Sequence, residues 1–307
     1  MGLFFFGKEA YSSNIKEESI ALNNSKETQS SVISIHALSL ELKSEIIKAG
    51  IWKEDCPVSL DRLRLVRFHY YDFNEVRKED GEIIVLDAVA SNVGEIFQEM
   101  YEKRIPIAKA RSLHREPYRG KDEVSLADNN TACFNWREIT GGGAPSLHGL
   151  GLAIDYNPWQ NPYIKPTIQN EGDLEKGTAI ILPAKGCLFL NRNNKRPGMA
   201  EEVIDIFRKK GFSVWGGNWN DPIDYQHFQP SRALAQHLIS MAADHATTLF
   251  EYYAEEPRMF NVLEPSDVRF LSLYRQDPSI FMRVLKEKKG ILSATPNEAY
   301  KIMLENR

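Results

Sequence analysis

Two short clusters carry the residue types that do chemistry in this chain. Ser146-Leu147-His148-Gly149-Leu150-Gly151-Leu152-Ala153-Ile154-Asp155 holds one histidine and one carboxylate, and Asp224-Tyr225-Gln226-His227 holds another of each. Two imidazoles and two carboxylates suffice for a three-ligand catalytic zinc site with a separate general base. A catalytic zinc takes three protein ligands and leaves a fourth position for water, whereas a structural site is closed by four, usually rich in Cys. Zinc lowers the pKa of its water from about 15.7 toward about 7. A carboxylate must carry the released proton to the leaving nitrogen, and a positive donor must stabilise the oxygen that turns negative. His148, Asp155 and His227 are the candidate ligands, with Asp224 beside them as base. Spacing alone leaves Asp155 and Asp224 interchangeable in those roles.

The elements that must position these residues are legible in part. Gly149 and Gly151 let the backbone bend between His148 and Asp155. Leu152 to Asn157 reads as a strand stopped by Pro158, with Asp155 and Ile154 on opposite faces. Leu63 to Tyr70 and Ile83 to Leu86 are strand signals. Val89, Val93, Ile96, Phe97 and Met100 recur at helical spacing. Ile105 to Ala108 reads as a strand entered through a bend. Residues 115–145 are polar and turn-rich, with Gly141-Gly142-Gly143 predicting flexibility. Val203 to Phe207 marks a helix with Gly211 as its C′ residue, after which Phe212 to Trp215 resumes a strand and Asp224 to Phe228 returns. Strands mixed with isolated helices predict an α+β fold.

Outside this region the pattern changes. Residues 8–31 are polar and lack a hydrophobic period, which predicts a mobile arm over 1–32. Ile33 to about Ile51 predicts an N-terminal helix, so the core is expected over 33–230. Beyond Pro230, Leu234, Leu238, Met241 and Ala242 suggest one helix and Phe270 to Tyr274 another. Thr295-Pro296-Asn297-Glu298 fits a capping box opening a last one. Residues 231–307 are thus expected to be a helical C-terminal extension.

Composition narrows the function classes. The 307 residues are 42% hydrophobic and carry a formal charge of −4, so no basic field for nucleic acid is expected. The basic run Asn191 to Arg196 reads as a solvated loop. Cys56, Cys133 and Cys187 are far apart, without a CxxC pair. No apolar run approaches the roughly 18 residues of a membrane span. Met1 to Gly7 has no charged start and too short an apolar run for a secretory signal.

Ser146 to Asp155 matches the SxHxxGxAxD motif of the zinc D-Ala-D-Ala carboxypeptidase family at every specified position. Asp224 to Phe228 resembles that family's second motif, in the Asp form common among phage-type (endolysin-like) L-alanyl-D-glutamate endopeptidases. Phe134 to Arg137, Asn157-Pro158, Asn161 to Tyr163 and Trp215 to Trp219 also resemble that subgroup, so the similarity covers about residues 60–229. The resemblance implies a hedgehog/D-Ala-D-Ala peptidase-like fold, a small α+β core whose antiparallel sheet carries the metal. It implies His148, Asp155 and His227 as ligands of Zn2+ and Asp224 as base. It implies that Arg137 binds the scissile carbonyl or a substrate carboxylate, and that Ser146 contacts substrate. The implied substrates are peptidoglycan stem peptides, which lie in the periplasm or outside the cell. Trp136 departs from the family, where Cys often precedes the arginine; this falls on the substrate pocket rather than on the metal ligands.

His36, His69, His114, His237 and His245 read as ordinary surface or core residues. Ser146 lacks the GxSxG context of a nucleophile, and Trp215 and Trp219 read as core or cleft wall. The expected activity is zinc-dependent hydrolysis of an amide bond in a stem peptide. The alternative is a catalytically silent, zinc-stabilised cell-wall binding or interaction protein.

Overall fold

The computed structural model describes residues 31–139, 142–167, 178–255 and 268–287, together with positions 298, 301, 302 and 305. The polar arm and most of the capping box at Thr295 lie outside the described residues. The sequence following Val32 opens on a strand rather than a helix. Ile33-Ser34-Ile35-His36 alternates apolar with polar, which suits a pleated strand, and Ile33–Ala37 forms β1. The expected helix begins only at Leu40 (α1, Leu40–Lys48), where Ser39 Oγ accepts a hydrogen bond from Leu42 N at 3.2 Å. β2 (Leu63–Tyr71) and β3 (Arg77–Leu86) complete an antiparallel sheet in the order β1-β2-β3. Helix α2 (Ala90–Glu102) lies on this sheet with Val93, Ile96, Phe97 and Met100 buried, as their spacing predicts. The Phe97 ring stacks on Phe68 at 3.8 Å between centroids.

The stretch expected to be a flexible loop is instead largely packed. Pro106 makes only an isolated bridge to Tyr71, and the strand expected at 105–108 appears later as β4 (Lys109–Ala110). A short helix α3 (Asp122–Ala127) follows, and β5 (Asn130–Thr131) pairs parallel with β4. Cys133, Phe134 and Asn135 are buried. Polar composition misled here because buried asparagines do the work of turns. Asn130 Oδ1 accepts from Arg111 N at 2.8 Å, and its Nδ2 donates to Arg111 O at 2.8 Å.

Two three-stranded antiparallel sheets follow, ordered β6-β11-β9 and β10-β7-β8. Their strands are β6 (Ile154–Asp155), β7 (Tyr163–Pro166), β8 (Ala179–Leu182), β9 (Val214–Trp215), β10 (Ile223–Asp224) and β11 (His227–Gln229). Helix α4 (Ile204–Lys209) precedes β9, and Gly211 follows it at φ +90°. The strand read over Leu152 to Asn157 is therefore only two residues long, and β7 and β8 lie outside the strands expected from the sequence. Arg192, expected in a solvated loop, is a tie: it bonds Glu201 Oε1 at 2.8 Å, Gln160 O at 2.6 Å and Asn161 Oδ1 at 3.0 Å.

The C-terminal helices are α5 (Arg232–Ser240), α6 (Ala243–Glu255), α7 (Val268–Gln276) and α8 (Pro278–Glu287). Ser231 Oγ caps α5 through Leu234 N at 3.2 Å. Arg62 closes its other end, donating to the carbonyls of Leu238 at 3.2 Å and Met241 at 2.8 Å while paired with Asp87. Leu234, Leu238, Leu249 and Phe250 belong to the same buried cluster as Phe207, Phe212 and Phe228. No helix among the described residues is long and apolar enough to cross a membrane.

Candidate metal centre

The register of β6 against β11 pairs Asp155 with His227 and Ile154 with Phe228. Directly opposed residues share a face, so one pair of this tiny ladder points polar groups into a cavity while the next, fully buried, enters the core. His148 arrives from the other side on a 3-10 turn, Leu147–Leu150. The decapeptide explains itself physically. Ser146 caps the turn, its Oγ accepting from His148 N at 3.3 Å. Gly151 ends it in the left-handed region at φ +68°, where a Cβ would stand 2.6 Å from Leu86 N. That close approach lets Leu86 N donate to Gly151 O at 2.9 Å, tying the turn to β3. Gly216 plays a like part beside the second cluster: a Cβ there would meet Asp224 O at 2.5 Å.

His148, Asp155 and His227 converge, forming a triangle of donor atoms. His148 Nε2 lies 3.2 Å from His227 Nδ1 and 3.3 Å from Asp155 Oδ1, and His227 Nδ1 lies 3.2 Å from the same oxygen. The opposite nitrogens are engaged: His148 Nδ1 with the Cys133 carbonyl at 2.7 Å, and His227 Nε2 with Gln229 Oε1 at 2.7 Å. A carbonyl oxygen only accepts, so the proton of each neutral ring sits on those nitrogens. Three lone-pair acceptors then face one another without a hydrogen between them. A tetrahedral zinc with bonds of about 2.0–2.1 Å holds its donor atoms about 3.3–3.4 Å apart. The triangle fits that ion, and imidazoles held by outer carbonyls are the usual support of zinc ligands.

The two carboxylates that spacing could not separate have opposite environments. Asp155 faces two imidazoles, its Oδ1 lying 3.3 Å from His148 Nε2 and 3.2 Å from His227 Nδ1. Burial and then the Asp155 charge push Asp224 up to about 7. Asp224 Oδ1 is buried without a hydrogen-bond partner among the described residues. Asp224 comes from β10, whose pairing with Tyr163 of β7 sets it in a different sheet from the triangle.

All these groups line a cavity of about 740 Å³, a size typical of ligand sites. Arg137 and Ser146 line it too. Arg137 is ion-paired with Asp122, and Ser146 Oγ accepts from His148 N and keeps its own O–H to donate. Trp219 forms wall next to His227, ring centroids 5.2 Å apart, while Trp215 packs on Phe228. Trp136 lies against Gly149 and donates to Asp55 Oδ1 at 2.7 Å. Burial pushes the Cys56 thiol up to about 11 and raises Cys133 as well, so neither is a ready nucleophile. Cys187 is exposed, and all three are free.

Sequence reading missed the supporting residues. Gln229 lies two positions beyond His227 on the same strand face, so alternation could have found it. Asp122, the partner of Arg137, and Arg232, also on the cavity wall, carried no motif signal.

Residues 140–230 match the model of a family described as D-alanyl-D-alanine carboxypeptidase. The match spans both clusters, from before Ser146 to just past Gln229. No curated protein and no solved structure matches the chain.

Proposed function

We propose that this chain is a zinc metallopeptidase that hydrolyses an amide bond in peptidoglycan stem peptides, as a carboxypeptidase or endopeptidase on D-amino-acid-containing chains. The observation that carries the reading is the triangle of three acceptor atoms, 3.2–3.3 Å on each side, within the region that matches the carboxypeptidase family. His148, Asp155 and His227 would hold the ion. Bound there, zinc supplies Lewis acidity and makes water a competent nucleophile near neutral pH.

The remaining steps belong to the chain. The cavity seats the peptide with its scissile carbonyl above the triangle. Asp224 takes the proton of the attacking water and passes it to the leaving nitrogen. Its buried, unpartnered oxygen suits a group that must bind and release a proton. Arg137 donates to the carbonyl oxygen as it gains charge, with Asp122 fixing the guanidinium from behind. Ser146 holds the His148 turn in shape. The reading includes a hedgehog/D-Ala-D-Ala peptidase-like fold, and the small α+β core with its antiparallel site sheet supports it.

Digestion of purified sacculi by zinc-loaded protein, with products read by mass, tests the proposal. Released fragments cut at one stem-peptide bond are the expected result. Intact muropeptides after long incubation, with one zinc bound per chain, would reject the peptidase and favour a silent wall-binding protein.

A further inference from the structure

Two arginines stand on the wall of the cavity, in different electrostatic states. Arg137 is neutralised by Asp122. Arg232, the first residue of α5, donates from Nη1 to Pro145 O at 2.9 Å, and no carboxylate among the described residues pairs with it. Burial alone shifts its guanidinium, downward, with no acid acting in the opposite sense. A guanidinium has five N–H donors in a planar fork that matches a carboxylate. Pro145 takes one of them. The same contact ties the fork to the residue before Ser146, and hence to the turn that carries His148. With no carboxylate partner among the described residues, this half-buried guanidinium keeps donors available for a carboxylate that a ligand brings.

We propose that Arg232 is the carboxylate-reading subsite of this cavity, binding a carboxylate of the peptide whose amide lies over the His148–Asp155–His227 triangle. The identity of the ligand rests on the peptidase reading above. Arg232 lies beyond residues 140–230, so the family match assigns it no role. The carboxylate has two sources in a stem peptide. One is the free C-terminus, as a carboxypeptidase requires. The other is an internal D-glutamate, as an endopeptidase would meet.

The test uses the zinc-loaded full chain and the pentapeptide L-Ala-D-Glu-L-Lys-D-Ala-D-Ala. The peptide is made in four versions, with the C-terminus free or amidated and the internal acid free or amidated. Binding is measured by calorimetry on the Asp224→Asn variant, and KM and kcat on the otherwise unaltered chain. Arg232→Gln keeps an N–H for the Pro145 carbonyl and loses the charge. It is expected to weaken binding of the fully acidic peptide about 10–100-fold, the range for a hydrogen bond to a charged group. That loss should appear in KM and leave kcat nearly unchanged. It should vanish for the version whose read carboxylate is amidated, which identifies the source. Arg232→Lys should recover part of the preference.

Equal weakening of all four peptides would mean a merely structural role and overturn the proposal. So would a parent without preference for any free acid, or an Arg232→Gln variant that keeps the parent's preference. Acid preference that depends on Arg232 in a chain that cuts nothing would leave this subsite standing and remove the peptidase reading alone. Cleavage without Arg232-dependent preference would do the reverse.

Discussion

Two buried polar clusters in this molecule are built on opposite plans. Glu82, on β3, is buried, and Arg115 grips both its oxygens, Nε to Oε1 at 2.6 Å and Nη2 to Oε2 at 3.1 Å. Glu45 and His114 stand behind, with His114 Nδ1 2.9 Å from Ser112 Oγ. Every charge there finds its opposite within the chain. The triangle of His148, Asp155 and His227 is equally buried but contains acceptors only, once the outer nitrogens are committed to Cys133 and Gln229. Burying lone pairs against one another is unfavourable. In the first cluster folding pairs Glu82 with Arg115, whereas the second has the geometry to be closed by a cation from outside. The comparison separates polar burial that serves the fold from polar burial that serves a ligand.

The largest expected effect breaks the second cluster outright. Asp155→Ala should lose zinc, from one ion per chain to a trace by elemental analysis, and cleavage should fall to background. Losing a ligand must cost more than the 10–100-fold in affinity typical of losing its supporting hydrogen bond. Chelation should lower the melting temperature of the parent and leave Asp155→Ala unmoved, since an ion bound only to the folded chain stabilises by about 4 kcal/mol at a thousandfold excess over Kd. A parent whose melting point ignores chelator would remove the external cation from the comparison. Next in size is Asp224→Asn. Zinc should stay stoichiometric while kcat drops about 10²–10⁴-fold, the usual contribution of a positioned acid–base group. If zinc left with the carboxylate, Asp224 would be a ligand and its distinction from Asp155 would fail.

How far the sequence foretold this depends on the length of the signal. The decapeptide was legible because each fixed position has its own physical demand: a cap at Ser146, a left-handed close approach at Gly151, a donor at His148 and at Asp155. Long elements such as β2 and α2 were legible because apolar spacing repeats across them. β6, β9 and β10 have two residues each, too few for any period, so the ladder that brings Asp155 beside His227 was invisible until the register was known. The alternation at Ile33 is brief and runs into a true helix, so the strand and the helix share one apolar stretch in the sequence. Roles of Asp155 and Asp224 could not be divided by spacing, since what divides them is burial and which neighbours face each one.

A smaller effect sharpens the comparison from inside the triangle. Gln229→Leu removes the acceptor that holds the His227 Nε2 proton, leaving the ligand set intact. Zinc affinity should fall about 10–100-fold in competition with a chromophoric chelator, and the ring should sample the other tautomer. Unchanged affinity would mean that β11 alone fixes the ring.

The smallest effect on the site comes from the closed cluster. Glu82→Gln should leave zinc content and cleavage as they are and cost stability. Breaking a buried pair costs about 3–5 kcal/mol. The Arg115 side chain is 30% exposed, so solvent relieves part of the loss, and about 2–3 kcal/mol is expected in denaturant unfolding. Burial opposes the Glu82 charge, but the hydrogen bonds and charge of Arg115 outweigh it and depress the carboxyl below its ordinary range. A depressed folded pKa favours the folded state at pH above the unfolded value of about 4.3, and that gain disappears as pH falls through the folded pKa. The parent should therefore lose stability on acidification from about pH 5 downward, and Glu82→Gln should lose less over the same interval. Zinc loss would add its own acid branch, because protonated imidazoles cannot ligate, so the titration is run on chelated protein. An acid branch identical in parent and variant would show that Arg115 does not stabilise the Glu82 charge, and the closed cluster would cease to be the counterpart of the open one.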